Sequence, residues 1–211
     1  MIIVDIETSG SFDPLKNGIW QIGAVDFENP SNTFLGESRI DDEDAVEEGA
    51  LRVTGKTEEE LRDKSKPSQK QLLIEFFEWV SKVKNKILVA HNTPFDYGFI
   101  VLRAKKYNLQ VPFNNRTFDL HVFASMKYLE LHRVLPFEEG KSKMNLQTII
   151  EFCGMKDKRI KMKGNKIAVE GTPHNGLEDA KIEAECISRI LYGKNLLVEF
   201  KDQQIPNYLM N

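Results

Sequence analysis

The segment Ile2-Ile3-Val4-Asp5-Ile6-Glu7 constrains this chain more than any other. Its length and β-branched content specify a buried strand. Side chains two apart share a strand face, so Ile2, Val4 and Ile6 fall on one side and Ile3, Asp5 and Glu7 on the other. Two carboxylates side by side against an apolar sheet repel each other and lose hydration unless positive charge lies between them. A divalent cation is the natural neutraliser, because Mg2+ is a hard ion held by a few carboxylates with water and substrate phosphate. The alternative is a strand end open to water, with both carboxylates solvated.

The flanking sequence reads as a sheet built around that strand. Residues 19–27 and Thr33 to Ile40 are strand-like and separated by short turn-rich segments, which predicts an antiparallel meander. The charged stretch 41–66 reads as short helices, with Thr57 and Glu60 forming a capping box. From Ser68 to Val83 the apolar residues Leu72, Leu73, Phe76, Phe77, Val80 and Val83 trace one helical face. Ile87 to Ala90 is a compact strand, and Pro94 suits the first turn of a helix running to about Tyr107. A further strand-to-helix step is expected at 117–120, with Asp119 as a cap, and helices at 145–152 and 175–191. Strand, helix, strand, helix order predicts one α/β domain over residues 1–192, a mixed sheet with antiparallel and parallel strands flanked by helices. Arg159 to Val169 reads as a β-hairpin with a glycine-first turn at Gly164-Asn165, and 193–211 has no assignment.

Composition narrows the class. Among 211 residues, 41% are apolar and 29% charged, which excludes a disordered chain, a collagen-like fibre and a disulfide scaffold. No apolar run reaches the roughly 18 residues that span a bilayer. The acidic N-terminus lacks the basic start of a secretory signal, and the two cysteines, Cys153 and Cys186, lie in helical segments. A reduced, intracellular protein without a membrane is the expectation. The net charge of −3 hides an asymmetry: residues 1–63 carry 16 acidic and 5 basic side chains, whereas residues 141–166 carry 8 basic and 2 acidic ones. A polyanion can then be held by one region while another does different work, although solvated surfaces also look like this.

Two further clusters carry chemistry. Asp96, in His91-Asn92-Thr93-Pro94-Phe95-Asp96, falls in a helix first turn if Asn92 or Thr93 is the cap, at the C-terminal end of the sheet where α/β proteins place ligands. An acid there also serves as ordinary dipole compensation. His174 and Asp179 are five residues apart and cannot share a helical face. The expectation is a loop histidine and a first-turn aspartate pointing into one cleft. A lone loop histidine is also a common exposed bystander, and His91, His121 and His132 carry no assigned role. Glycine-rich phosphate loops, zinc spacings and a Gly-x-Ser-x-Gly elbow are all missing from the sequence.

In order, Asp5-x-Glu7-Thr8, Asn92-x-x-Phe95-Asp96 and His174-x-x-x-x-Asp179 resemble the three motifs of the DEDDh, DnaQ-like 3'-5' exonucleases of the ribonuclease H-like superfamily, over residues 1 to about 192. The sister subgroup has a tyrosine four residues before the last aspartate, where this chain has Asn175. The resemblance implies Asp5, Glu7, Asp96 and Asp179 as ligands of two divalent cations, Mg2+ or Mn2+, about 3.5–4 Å apart. It implies His174 as general base, with Thr8, Asn92 and Phe95 shaping the pocket for the terminal nucleotide. The basic hairpin, with Lys158, Arg159, Lys161 and Lys163, is read as an arm on the phosphate backbone of a nucleic acid. A polymerase or other replication or repair protein is the implied kind of partner.

Three function classes follow. The first is a metal-dependent exonuclease that releases nucleoside 5'-monophosphates from a single-stranded or frayed 3' end. The second is a binding module of the same fold, and the third a two-metal phosphatase that would leave the basic arm without purpose.

Overall fold

The structure is a computed structural model and describes residues 1–10, 13–163 and 166–210, without the side chains of Met162 and Lys163. Three strands open the chain: β1 (Ile2–Thr8), β2 (Ile19–Asp26) and β3 (Thr33–Glu37). Helices α1 (Glu48–Thr54), α2 (Glu58–Leu61) and α3 (Gln69–Lys82) follow, then β4 (Leu88–Ala90), α4 (Thr93–Lys106), β5 (Phe118–Asp119) and α5 (Leu120–His132). A small hairpin, β6 (Phe137–Glu138) and β7 (Lys141–Ser142), precedes α6 (Leu146–Phe152). Strands β8 (Lys161–Lys163) and β9 (Lys166–Val169) lead into α7 (Gly176–Tyr192).

The main sheet has the order β3-β2-β1-β4-β5. Its first two pairings are antiparallel and the β1–β4 and β4–β5 pairings parallel, which is the expected mixed sheet. The strand alternation read from sequence decides the layers. Ile2, Val4 and Ile6 enter a core with Leu72, Phe76 and Val80 of α3 and Phe99 and Ile100 of α4. Ile3 enters the opposite core, with Leu120, Ile149, Ala180, Ala184 and Ile187. Asp5 and Glu7 therefore face the α7 layer. Thr57 and Glu60 form the expected capping box on α2.

Several local expectations are corrected. β3 ends at Glu37 rather than Ile40, because Arg39 leaves the sheet to donate to the Pro67 carbonyl at 2.8 Å. Asn92 occupies the N-cap position of α4 in a left-handed conformation (φ 64°), and its side chain makes no capping bond. Asp119 caps α4 from the neighbouring strand β5, accepting from the Asn92 and Thr93 amides at 3.2 and 2.9 Å, and also caps α5 through the His121 amide at 2.8 Å. The β6–β7 hairpin has no counterpart in the sequence reading; its turn places Glu139 and Gly140 at positive φ. β8 and β9 pair antiparallel as expected, while their Gly164-Asn165 turn lies outside the described residues.

The segment after α7 is organised by a buried ion pair. Arg189 and Glu185 meet at 2.7 Å with no exposure, and Arg189 also donates to the carbonyls of Cys153, Phe200 and Gln203. Glu185 accepts from the Leu196 and Leu197 amides, and Leu209 is fully buried. Deleting residues 194–211 strips partners from a buried pair and removes the buried Leu197 and Leu209 from the core. It should lower the melting temperature by roughly 10 °C. An unchanged thermal melt would show that the segment is dispensable.

Candidate active site

Four elements and one loop converge at the C-terminal end of β1. Asp5 lies opposite Gly23 and Glu7 opposite Gln21 in the β1–β2 register, which shifts between Glu7 and Thr8. Gly23 is there because α7 starts on top of it: a Cβ at Gly23 would sit 2.0 Å from the Gly176 carbonyl carbon and the Leu177 nitrogen. Gln21, 1% exposed, accepts from the Gly176 amide at 2.7 Å and donates to Glu37 at 2.9 Å. The pair Gln21 and Gly23 thus seats the first turn of α7, and with it Asp179, against Asp5 and Glu7. Gly23→Ala should displace that turn and destabilise the fold by about 2–3 kcal/mol, read as a lower melting temperature. A wild-type melt would deny the tight approach.

Asp96 arrives from the other side. Strand β4 ends at Ala90, so the Ile6 amide beyond it lacks a strand partner, and Asp96 Oδ1 accepts from it at 3.2 Å. Asp96 and Asp179 are 3% and 2% exposed. Asp179 Oδ2 lies 3.1 Å from His174 Nδ1 and 3.2 Å from the Arg159 guanidinium. Ligand atoms of Glu7, His174 and Asp179 all lie within 4.8 Å of one another. The loop holding His174 is pinned by its amide, which donates to Val53 at 3.0 Å.

The electrostatics of this cluster are those of excess negative charge. Burial, then Asp179, Glu7, Glu183 and Asp96, push the Asp5 carboxyl well above the usual range. Glu7 is pushed up to about 8 by burial and Asp179, against the relief of His174 and Arg159. Burial also raises Asp96, although backbone hydrogen bonds oppose it. Burial disfavours a charged His174, but the hydrogen bond and charge of Asp179 outweigh it and raise its pKa above the ordinary 6.5. His174 Nε2 faces the Ile160 carbonyl at 3.1 Å, so both ring nitrogens point at acceptors. That arrangement suits an imidazolium.

The remaining predicted residues are spread around this centre. Thr8 is buried and donates to the Gly10 carbonyl at 2.7 Å. Asn92 is exposed, and Phe95 is half-buried with its ring 4.8 Å from Phe99. Lys158 is exposed, Lys161 lies 3.9 Å from Glu151, and the Lys163 side chain lies outside the described residues. Arg159 differs from the expected surface arm: it is 9% exposed and inserted among Asp157 and Asp179.

Sequence reasoning missed Glu183. This fully buried acid lies one turn after Asp179, accepts from the His91 amide at 3.0 Å, and is raised by burial, Asp96 and Asp179. Its signal was available, because Glu183 shares the buried face of α7 with Ala180, Ala184 and Ile187. Gln21 left no comparable trace, since its role depends on Gly176 far along the chain, and Asp157 gains its role only because the nearby Arg159 turns inward.

The exonuclease family model RNase_T matches residues 2–187. The chain belongs to the exonuclease family. It is 30% identical over 190 residues to the DNA polymerase III PolC-type of Caldanaerobacter subterraneus subsp. tengcongensis, covering 90% of this chain and 11% of that one. It is 33% identical over 132 residues to the DNA polymerase III subunit epsilon of Buchnera aphidicola subsp. Acyrthosiphon pisum, covering 59% of this chain and 50% of that one. The chain thus spans half or less of the length of these two relatives.

The fold is shared with the nuclease domain of 3'hExo, a DEDDh family member bound to rAMP, at 20% identity and a TM-score of 0.63 over 93% of both chains. Cell-death related nuclease 4 superposes with a TM-score of 0.67 at 14% identity, over 92% of this chain and 64% of that one. The RNase H-like, DnaQ-like architecture expected from the motifs is the one observed. No helix among the described residues is long and apolar enough to cross a membrane.

Proposed function

We propose that this exonuclease-family chain is a metal-dependent 3'-5' exonuclease, removing nucleoside 5'-monophosphates from single-stranded or frayed nucleic acid. The observation that carries this reading is the convergence of Asp5, Glu7, Asp96 and Asp179 with His174 beside Asp179. Carboxylates pushed upward by burial and then by mutual repulsion are an unneutralised oxygen donor set, which is what a hard divalent cation requires. Asp5, Glu7, Asp96 and Asp179 would hold two such cations, Mg2+ or Mn2+. When bound, they supply Lewis-acid stabilisation of charge on the phosphoryl oxygens and lower the pKa of water.

The chain's own residues do the rest. Thr8, Asn92 and Phe95 would shape the pocket for the terminal nucleotide. His174, once neutral and turned from its resting partners, accepts the proton of the attacking water at a ring nitrogen. One phosphorus–oxygen bond forms, the bond to the 3' oxygen breaks, and that oxygen takes a proton from solvent. The lysines of the β8–β9 arm and its approach hold the upstream backbone. Replacing Lys158, Lys161 and Lys163 with serine should weaken nucleic-acid binding about tenfold at low salt and flatten its salt dependence. Wild-type binding at low salt would remove the arm from the account.

The relatives' names, DNA polymerase III PolC-type and subunit epsilon, favour DNA and a replication or repair setting with a polymerase as partner. The decisive experiment is a time course on 5'-labelled DNA and RNA oligomers with Mg2+, Mn2+ or EDTA. A descending ladder that vanishes in EDTA is expected; full activity in EDTA, or immediate release of the labelled 5' nucleotide without a ladder, would overturn the reading.

A further inference from the structure

An arginine of the basic segment, rather than its exposed Lys158, reaches the acidic cluster. Arg159 Nη1 lies 3.2 Å from Asp179 Oδ2, the oxygen that also faces His174 Nδ1 at 3.1 Å. Its Nε and Nη2 donate to the two oxygens of Asp157 at 3.0 and 3.2 Å. The backbone beneath it is fixed at the base of the hairpin. The Arg159 amide donates to Asp157 at 3.1 Å, and the Ile160 and Thr172 amides donate to the Thr172 and Lys158 carbonyls at 2.9 Å. Gly171 lies so close that a Cβ there would come within 2.4 Å of the Lys158 carbonyl oxygen. The guanidinium is therefore delivered by a rigid corner of the fold rather than by a loose arm.

Asp179 Oδ2 thus has two basic groups on it, the Arg159 guanidinium and the His174 imidazole. Such an oxygen cannot give its lone pairs to a metal ion without loosening one of them. Asp157 supplies Arg159 with a second carboxylate, so the guanidinium keeps a buried partner when Asp179 is taken.

We propose that Arg159 is an internal countercation of the acidic cluster, neutralising Asp179 in the metal-free chain and competing with a divalent cation for it. The inference rests on the cation-dependent reading of the site given above. Arg159 is then a positioning residue: it holds Asp179 and the adjoining His174 in place before the cation arrives, and its fork sets how tightly the cation binds. Asp157 tunes the competition by drawing the guanidinium away from Asp179.

The test uses Mn2+ alone, without nucleic acid, on the full chain and on R159Q, R159K and D157N. Affinity is measured by titration calorimetry, and thermal melts are recorded in EDTA and in saturating Mn2+. R159Q should bind Mn2+ on the order of tenfold more tightly, and R159K within about threefold of wild type. R159Q should melt below wild type in EDTA, with the deficit closing in Mn2+. D157N, which leaves Arg159 leaning on Asp179 of these two carboxylates, should bind Mn2+ more weakly, and this keeps the test open if R159Q fails to fold. A purely structural arginine predicts unchanged or weaker Mn2+ binding by R159Q and an equal melting deficit in both conditions; that result overturns the proposal. Absence of Mn2+ binding by wild type and R159Q alike overturns the cation-dependent reading and this inference together.

Discussion

Asp5→Asn should abolish nuclease turnover while raising the melting temperature of the metal-free protein at pH 8. The two effects have one cause. Asp5 sits at the middle of the cluster, with its carboxyl pushed upward by burial and by Asp179, Glu7, Glu183 and Asp96. Without a cation its charge is surrounded by like charge, so an isosteric amide relieves repulsion and keeps the packing. The gain should be about 1–2 kcal/mol, or a few degrees in melting temperature. The gain should shrink as pH falls, because the raised wild-type carboxyl takes up its proton more readily than an ordinary one. Loss of a proposed metal ligand should cost about 10³-fold or more in turnover. An active variant, or a less stable one at pH 8, would remove Asp5 from the centre of the site. His174→Ala, by contrast, should lose roughly 10²–10⁴-fold in turnover while retaining metal binding.

The second large effect is a pH dependence of stability that a divalent cation reverses. Glu7 is raised to about 8 from an ordinary 4.5, and Asp5, Asp96 and Glu183 are raised as well. Between those values the folded protein binds more protons than the unfolded chain, so stability falls as pH rises. His174, also raised, works in the same direction, because its stabilising contribution is lost as pH climbs through its folded value. Each proton of difference changes stability by about 1.4 kcal/mol per pH unit. In EDTA the melting temperature should therefore drop by roughly 10 °C between pH 5 and pH 8. Saturating Mg2+ should restore most of it at pH 8 and little at pH 5, because protonated carboxyls do not bind the ion. A melting temperature that is flat or rising with pH in EDTA would contradict the clustering of charge.

These expectations also show why parts of the site were legible early and parts were not. Asp5 and Glu7 announce themselves because a strand has a period of two and charge on its buried face needs an explanation. Asp96 and Asp179 could be placed in first turns from caps and a proline. Glu183 was visible in principle through the helical period of α7, but an acid one turn from another acid reads as surface until the face is known to be buried.

Arg159 was misplaced for the opposite reason. In a run of basic residues a local reading assigns it to solvent, whereas the structure turns it inward among Asp157 and Asp179. The sequence by itself thus determined the mixed sheet and the face on which Asp5 and Glu7 stand, which follow from local periodicity and element order, while the set of five candidate groups came from the resemblance of three short motifs to the DEDDh exonucleases. Tertiary structure alone decided that Gln21 and Gly23 seat α7, that Arg189 and Glu185 anchor the C-terminal segment, and that a guanidinium occupies the acidic cluster. Most of those arrangements join residues far apart in the chain, and even the Glu185–Arg189 pair gains its role only once distant segments bury it. Such contacts carry no periodic signal, because their energy exists only after the sheet and helices have brought the partners together.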